Sequence, residues 1–326
     1  MRTMRANQKN AAANRSGSAL PGTSDELCLL APRQLDAHLR WVAESALPGQ
    51  APDLPGIAQR WRDARQVYRQ LEVSQATAAD DPAILKLPKA IAAHAAALVE
   101  TPSFRHSFDT VPVAFGMVEL DKLVVSQYCI TQALIDQLRA GHVPPMSNAR
   151  LAGLCLPLLA ANADFKLVYR DDGEFVFAAS AHDMRFLGAS ILGSTLVDLM
   201  RVDGLSMQGH PQAVVALGVG YSSNVMNAVR LGNRLVLNNG HHRAYALRVM
   251  GFTHAPCVIQ VCASHEELTL AATTEIVDNS DLYFDSPRPP LLRDFDNPAL
   301  THNITTARLQ RQLRIAFSVE SRLIAA

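Results

Sequence analysis

Asn238, Asn239, Gly240, His241, His242 and Arg243 stand in one unbroken run, and the combination suits capture of an oxyanion. The apolar triplet Leu235 to Leu237 predicts a strand entering the core, and the Asn-Asn-Gly after it predicts a tight turn into a helix starting at about His241. The first turn of a helix presents N–H groups without intrahelical partners and about half a positive charge, which favours phosphate or carboxylate. Arg243 adds a planar fork of donors, and Asn238 or Asn239 can hold a sugar hydroxyl or orient a metal-bound water. Cationic side chains at the positive end of a helix each oppose the dipole by roughly 0.3 to 1 kcal/mol when charged, a cost that a bound anion offsets. The bland alternative is that two histidines and an arginine cap and solvate a buried turn.

Phosphoryl transfer or hydrolysis at such a turn requires positive groups on the phosphates, usually with Mg²⁺, and a carboxylate or histidine to take a proton. His241 and His242 are the candidate histidines, and Glu119 or Asp121, at the end of an expected first strand, the candidate bases. Gln127 is a further candidate ligand contact, while GVGYSSN from Gly218 offers Tyr221 and Asn224 as pocket walls. That loop matches neither GxGxxG nor the lysine-bearing phosphate loop. His182 with Asp183, His210, and His265 with Glu266 lack the spacing of a metal site, so no metal ligands are assigned.

The elements that must position these residues follow from periodicity. TVPVAFGMVELDKLVVSQ has the β-branched content of strands, ITQALIDQLRAG reads as a helix closed by Gly141, and DFKLVYRDDGEFVFAAS reads as a hairpin turning at Asp172 and Gly173. QAVVALGVGY is expected to be a buried strand and SSNVMNAVRLG a short helix capped by Ser222 or Ser223. NRLVLNNGHHRAYALRVMGFTHAPCVIQVC then reads strand, glycine turn, helix stopped by Gly251, strand. Upstream, Asp25 to about Val99 has a helical pattern broken at PGQAPDLPG, with a further helix expected after Asp80, Asp81 and Pro82.

LDKLVVSQYCITQALIDQL, followed downstream by LVLNNGHHRAYALRVMGFTHAPCVI, resembles the ParB/sulfiredoxin-like superfamily. Gly240, Arg243, Ala246, Gly251 and Pro256 sit at the expected relative places of its second element, and Leu123 to Gln127 form a weaker match to the first. The resemblance implies an α/β (α+β) fold with a mixed-sheet core and a turn that binds nucleotide phosphates. On that basis residues 109–326 form the core domain, with an insertion at about 143–210 and a proline-rich arm at about 281–300; residues 23–108 form a helical N-terminal region and 1–22 a disordered tail. His241 occupies the position of the sulfiredoxin cysteine, so the thiolate chemistry of that branch is missing. The chain after Cys262 lacks the helix-turn-helix and basic surface of partition proteins, which leaves the free-serine kinases as the enzymatic analogy. The resemblance implies ATP/ADP or CTP with Mg²⁺ as the ligand. Phosphoryl transfer or nucleotide hydrolysis is expected first, a ligand-gated regulatory binder (a homodimer fits) second, and a site repurposed for a carboxylated small molecule third.

Thirty Lys and Arg balance thirty Asp and Glu in 326 residues, so no long-range pull toward nucleic acid or an acidic membrane is expected. The longest strongly apolar stretch, from Leu151, runs 13 residues and contains Pro157, short of the ~20 needed to span a bilayer. Five irregularly spaced cysteines (Cys28, Cys129, Cys155, Cys257 and Cys262) predict reduced thiols and a cytoplasmic setting. Arg288 and Arg293, in the proline-rich arm, are expected either to reach an anionic ligand or to sit on a surface arm.

Overall fold

A computed structural model describes residues 22–322 apart from 32, 159–164, 171–172, 180–183, 193–212, 222 and 309–310. The expected tail, His182, Asp183, His210, Asp172 and Ser222 lie outside the described residues. The fold mixes helix and sheet. Its centre is a six-stranded mixed sheet in the order β2 (Ile84–Leu85), β3 (Val113–Glu119), β12 (His254–Cys262), β10 (Asn227–Leu231), β11 (Arg234–Asn239), β4 (Val124–Val125). β10 runs parallel to β12 and antiparallel to β11, while β4 runs parallel to β11.

Leu235, Val236 and Leu237 of β11 are all fully buried, as expected of a continuous apolar run in a strand covered on both faces. The chain leaves β11 through Gly240, whose φ of 98° lies in the left-handed region, and enters α7 (His241–Val249) directly. Ala244, Ala246 and Leu247 of α7 sink into the main core beside Val225, Met226 and Leu237. Gly251 (φ 89°) ends the helix, and its N–H donates to Arg248 O while that of Phe252 donates to Leu247 O. Strand, glycine turn, helix and strand thus stand where the sequence predicts them.

Several elements differ from expectation. TSDELCL forms strand β1 (Thr23–Leu29), not helix, pairing with β13 (Thr301–Ala307) on one side and with β5 (Cys129–Thr131) on the other. The helical N-terminal region expected over 23–108 is therefore woven into the rest by its first strand, although α1 (Leu35–Ser45), α2 (Leu54–Ser74), α3 (Lys89–Val99) and α4 (Pro102–Ser107) follow as helices. The third of these starts at Lys89 after Pro88 rather than at the Asp80–Asp81 pair, because Asp80 is held by Arg234 at 2.7 Å. NAVRL forms β10 instead of a helix: tertiary pairing with β11 and β12 outweighs its local propensity. β9 (Val214–Tyr221) is a strand, yet Val215 and Leu217 are exposed because among the described residues it pairs only with β8 (Met184–Leu192).

The stretch at 143–210 is not wholly peripheral. Its helix α6 (Asn148–Cys155), after α5 (Gln132–Gly141), buries Leu151, Ala152 and Cys155 in the main core. The hairpin of β6 (Phe165–Arg170) and β7 (Glu174–Ala179) takes a third strand, β14 (Arg311–Ala316), from the C-terminal region. α8 (His265–Ala271) and α9 (Thr274–Asp278) lead into the proline-rich arm, which turns inward. There Arg288 is buried against Asp294, with one guanidinium nitrogen 2.9 Å from the carboxylate, and Arg293 donates to Gln75. Neither arginine stands ready for an external anion.

Candidate functional site

The start of α7 is held from below by the segment joining β4 to β5. The N–H groups of Ser126 and Gln127 both donate to His241 Nε2, at 3.2 and 3.3 Å, and the Ser126 hydroxyl donates to Leu237 O at 2.8 Å. The Thr131 N–H donates to His242 Nε2 at 3.0 Å. Each imidazole therefore presents a lone pair to the backbone of residues 126–131. His241 is buried, and burial first, then the neighbouring His242, pushes its pKa down to about 3, so it is neutral across the physiological range. A histidine so placed positions the helix; it does not carry protons at neutral pH. His242 is half-buried and remains nearer the surface.

Arg243 turns away from the turn's outer side. Its guanidinium donates to Asn224 O at 2.6 Å, to Asn224 Oδ1 at 3.0 Å and to Leu154 O at 3.2 Å, tying the last turn of α6 and the chain before β10 to α7. A cation at the carbonyl end of α6 complements that helix's dipole. The asparagines are likewise committed. Asn239 Nδ2 donates to Val225 O, while Asn238 Nδ2 donates to Ala271 O and its Oδ1 accepts from Thr273 N, so Asn238 faces the α8–α9 connection. Gln127 is exposed, with its Nε2 donating to Cys129 O at 2.6 Å. Tyr221 ends β9 opposite Met184, three residues before Asn224.

The candidate carboxylates fall elsewhere. Asp121 accepts from Arg248 Nε at 2.6 Å, at the opposite end of α7, and Glu119 accepts from Ala83 N at 2.9 Å beside its pairing partner His254. His241 and Arg248 are separated by about 10 Å along the helix axis. The expectation that Glu119 or Asp121 serves as a base at the turn is thereby corrected: the strand end bearing them meets the tail of α7, not its head.

A different carboxylate comes close. Glu26, opposite Thr131 in the β1–β5 pairing, accepts the Thr131 hydroxyl at 3.1 and 3.2 Å and the Ser24 hydroxyl at 2.6 Å, one residue's width from the His242 contact. It comes from a strand more than a hundred positions upstream, and no local pattern marks it. Ser126 and Thr131 flank Gln127 in the sequence element already singled out, and the former carried a signal only through the resemblance.

Cys28 and Cys129 face each other across β1 and β5 and are joined in a disulfide, which corrects the expectation of five reduced thiols. Cys155, Cys257 and Cys262 are buried free thiols. The spacing gave no hint because the pairing strands are 101 residues apart. Among the described residues no helix is long and apolar enough to cross a membrane, and no group of three or more His, Cys, Asp or Glu side chains gathers as a metal site.

Comparison with protein-family models, curated proteins and solved structures yields no match.

Proposed function

We propose that this protein binds a small anionic ligand, a nucleotide phosphate or a carboxylate, at the head of α7 and that occupancy is transmitted through residues 126–131. One observation carries the reading. The helix starts at a left-handed glycine without a side-chain cap and has no acidic residue in its first turn, so its positive end is not offset from within. The motif likeness to ParB/sulfiredoxin-like turns supports nucleotide as the ligand class, with Mg²⁺ accompanying the phosphates. Binding without turnover is favoured over catalysis because both imidazoles accept backbone N–H groups and Glu119 and Asp121 lie at the far end of the helix. Glu26 favours a second reading, phosphoryl transfer or hydrolysis, since its carboxylate stands next to the Thr131–His242 contact.

A thermal-shift panel of ATP, ADP, CTP and GTP with and without Mg²⁺, beside simple carboxylates, tests both. A ligand at 100 times its Kd stabilises by about 2.7 kcal/mol, a shift of several degrees. The expected result is a nucleotide-dependent shift that shrinks in Gln127→Ala, an exposed position whose loss leaves the core intact. Indifference to every anion in the panel refutes the proposal. Release of product from the binding nucleotide, abolished by Glu26→Gln, would replace binding by catalysis.

A further inference from the structure

β5 is a three-residue edge strand, paired to β1 through Glu26–Thr131, Leu27–Ile130 and Cys28–Cys129. The segment 126–131, which ends in β5, supplies three backbone N–H groups to His241 and His242: Ser126, Gln127 and Thr131. Gln127 adds a side-chain bond to the carbonyl of Cys129 itself, and Tyr128 O accepts from Leu29 N, the residue after Cys28. One covalent bond thus sits at the joint between β1 and the support of the α7 turn. The two cysteines are not equivalent, because Cys28 is fully buried whereas Cys129 is a partly exposed residue. The remaining cysteines are shielded, and burial pushes the Cys155 thiol up to about 12 and raises those of Cys257 and Cys262. Thiol chemistry in the folded protein is thereby directed to the pair.

We propose that Cys28 and Cys129 are a reversible oxidation site: the disulfide holds residues 126–131 against His241 and His242, and reduction by a dithiol loosens that support. A dithiol's thiolate attacks Cys129 Sγ, the S–S bond breaks, and Cys28 leaves as a thiolate that takes a proton. The dithiol's second sulfur then displaces Cys129 from the mixed disulfide. The protein gains two electrons and two protons, and the reductant ends as a cyclic disulfide. The inference does not depend on what the turn binds.

Amide hydrogen exchange of the full chain, oxidised and then treated with dithiothreitol under native conditions, reads the effect directly. Reduction is expected to speed exchange over residues 122–132 by about tenfold or more beyond any change over 113–119 and 254–262. Reoxidation restores the slow pattern, and the Cys28→Ser/Cys129→Ser variant shows the fast one with or without reductant. Four results overturn the proposal: exchange over 122–132 that ignores reduction; acceleration throughout the β3 and β12 segments as large as that over 122–132, the mark of a purely structural staple; failure of the bond to reform; or alkylation of both cysteines in the unreduced native protein. The reductant arm uses the unaltered chain, so it decides the question even if the double variant folds poorly.

Discussion

With its guanidinium bonded to Leu154 O and to both oxygens of Asn224, Arg243 joins three chain segments at the head of α7. Hydrogen bonds to a charged group are worth about 1.5 to 3 kcal/mol. Arg243→Ala is expected to lower the stability of the protein by about 2 to 3 kcal/mol in urea unfolding, and Arg243→Lys to recover only part of it, because one ammonium cannot reach acceptors arranged for a planar fork. A loss under about 0.5 kcal/mol would show that the guanidinium is replaceable by water. Histidines set the acid limit. His241 is pushed down to about 3, and His38, fully buried with no hydrogen-bond partner for its ring nitrogens among the described residues, to about 4 by burial, Arg33 and His302. In the unfolded chain both titrate near 6.5, so between that value and 3 to 4 the unfolded state binds more protons. Stability is therefore full above about pH 6.5 and falls as the pH drops, by about 2 kcal/mol for each histidine at pH 5. Urea midpoints at pH 7 and pH 5 check this, and His38→Phe should remove part of the difference.

Two elements hold the site by features that a single substitution can expose. At Gly240 a Cβ would stand 3.0 Å from Met226 Cγ and 3.2 Å from Met226 Cα, on a backbone of φ 98°. Gly240→Ala is accordingly expected to cost about 1 to 3 kcal/mol and to shift the start of α7, read as a lowered melting temperature with altered exchange over residues 240–244. In the proline-rich arm, Asp294 faces the buried guanidinium of Arg288 and also accepts the Leu291 N–H at 2.9 Å. Asp294→Asn leaves a cation buried without its counter-charge and is expected to cost about 3 to 5 kcal/mol, whereas the exposed Asp285→Asn should be close to neutral. The strand, turn and helix around Gly240 were legible because their signals are local: an apolar triplet, a glycine and a second glycine eleven residues on. β1 was not legible, since TSDELCL acquires its strand only by pairing with residues near 130 and 304. β10 failed for the same reason. Arg243 was read as a donor fork for an anion, yet its acceptors, Leu154 and Asn224, belong to distant segments that no spacing rule connects to it.

At the scale of the whole molecule, long-range pairings tie the chain together. The Cys28–Cys129 bond spans a sequence separation of 101, for which the chain-entropy model gives stabilisation of about 4 to 5 kcal/mol as an upper figure. Reduction is expected to lower the melting temperature by several degrees, and an unchanged transition would show that the unfolded chain is already compact between the two cysteines. β1 carries a further consequence through its other neighbour. Thr23 to Leu29 pair residue for residue with Ala307 back to Thr301. During synthesis β1 leaves the ribosome well before residues 301–307 and must wait for them before that partner exists. Until then its outer edge is open to any strand that meets it, so nascent chains stalled before residue 301 should be the form most prone to mispairing and most in need of a chaperone.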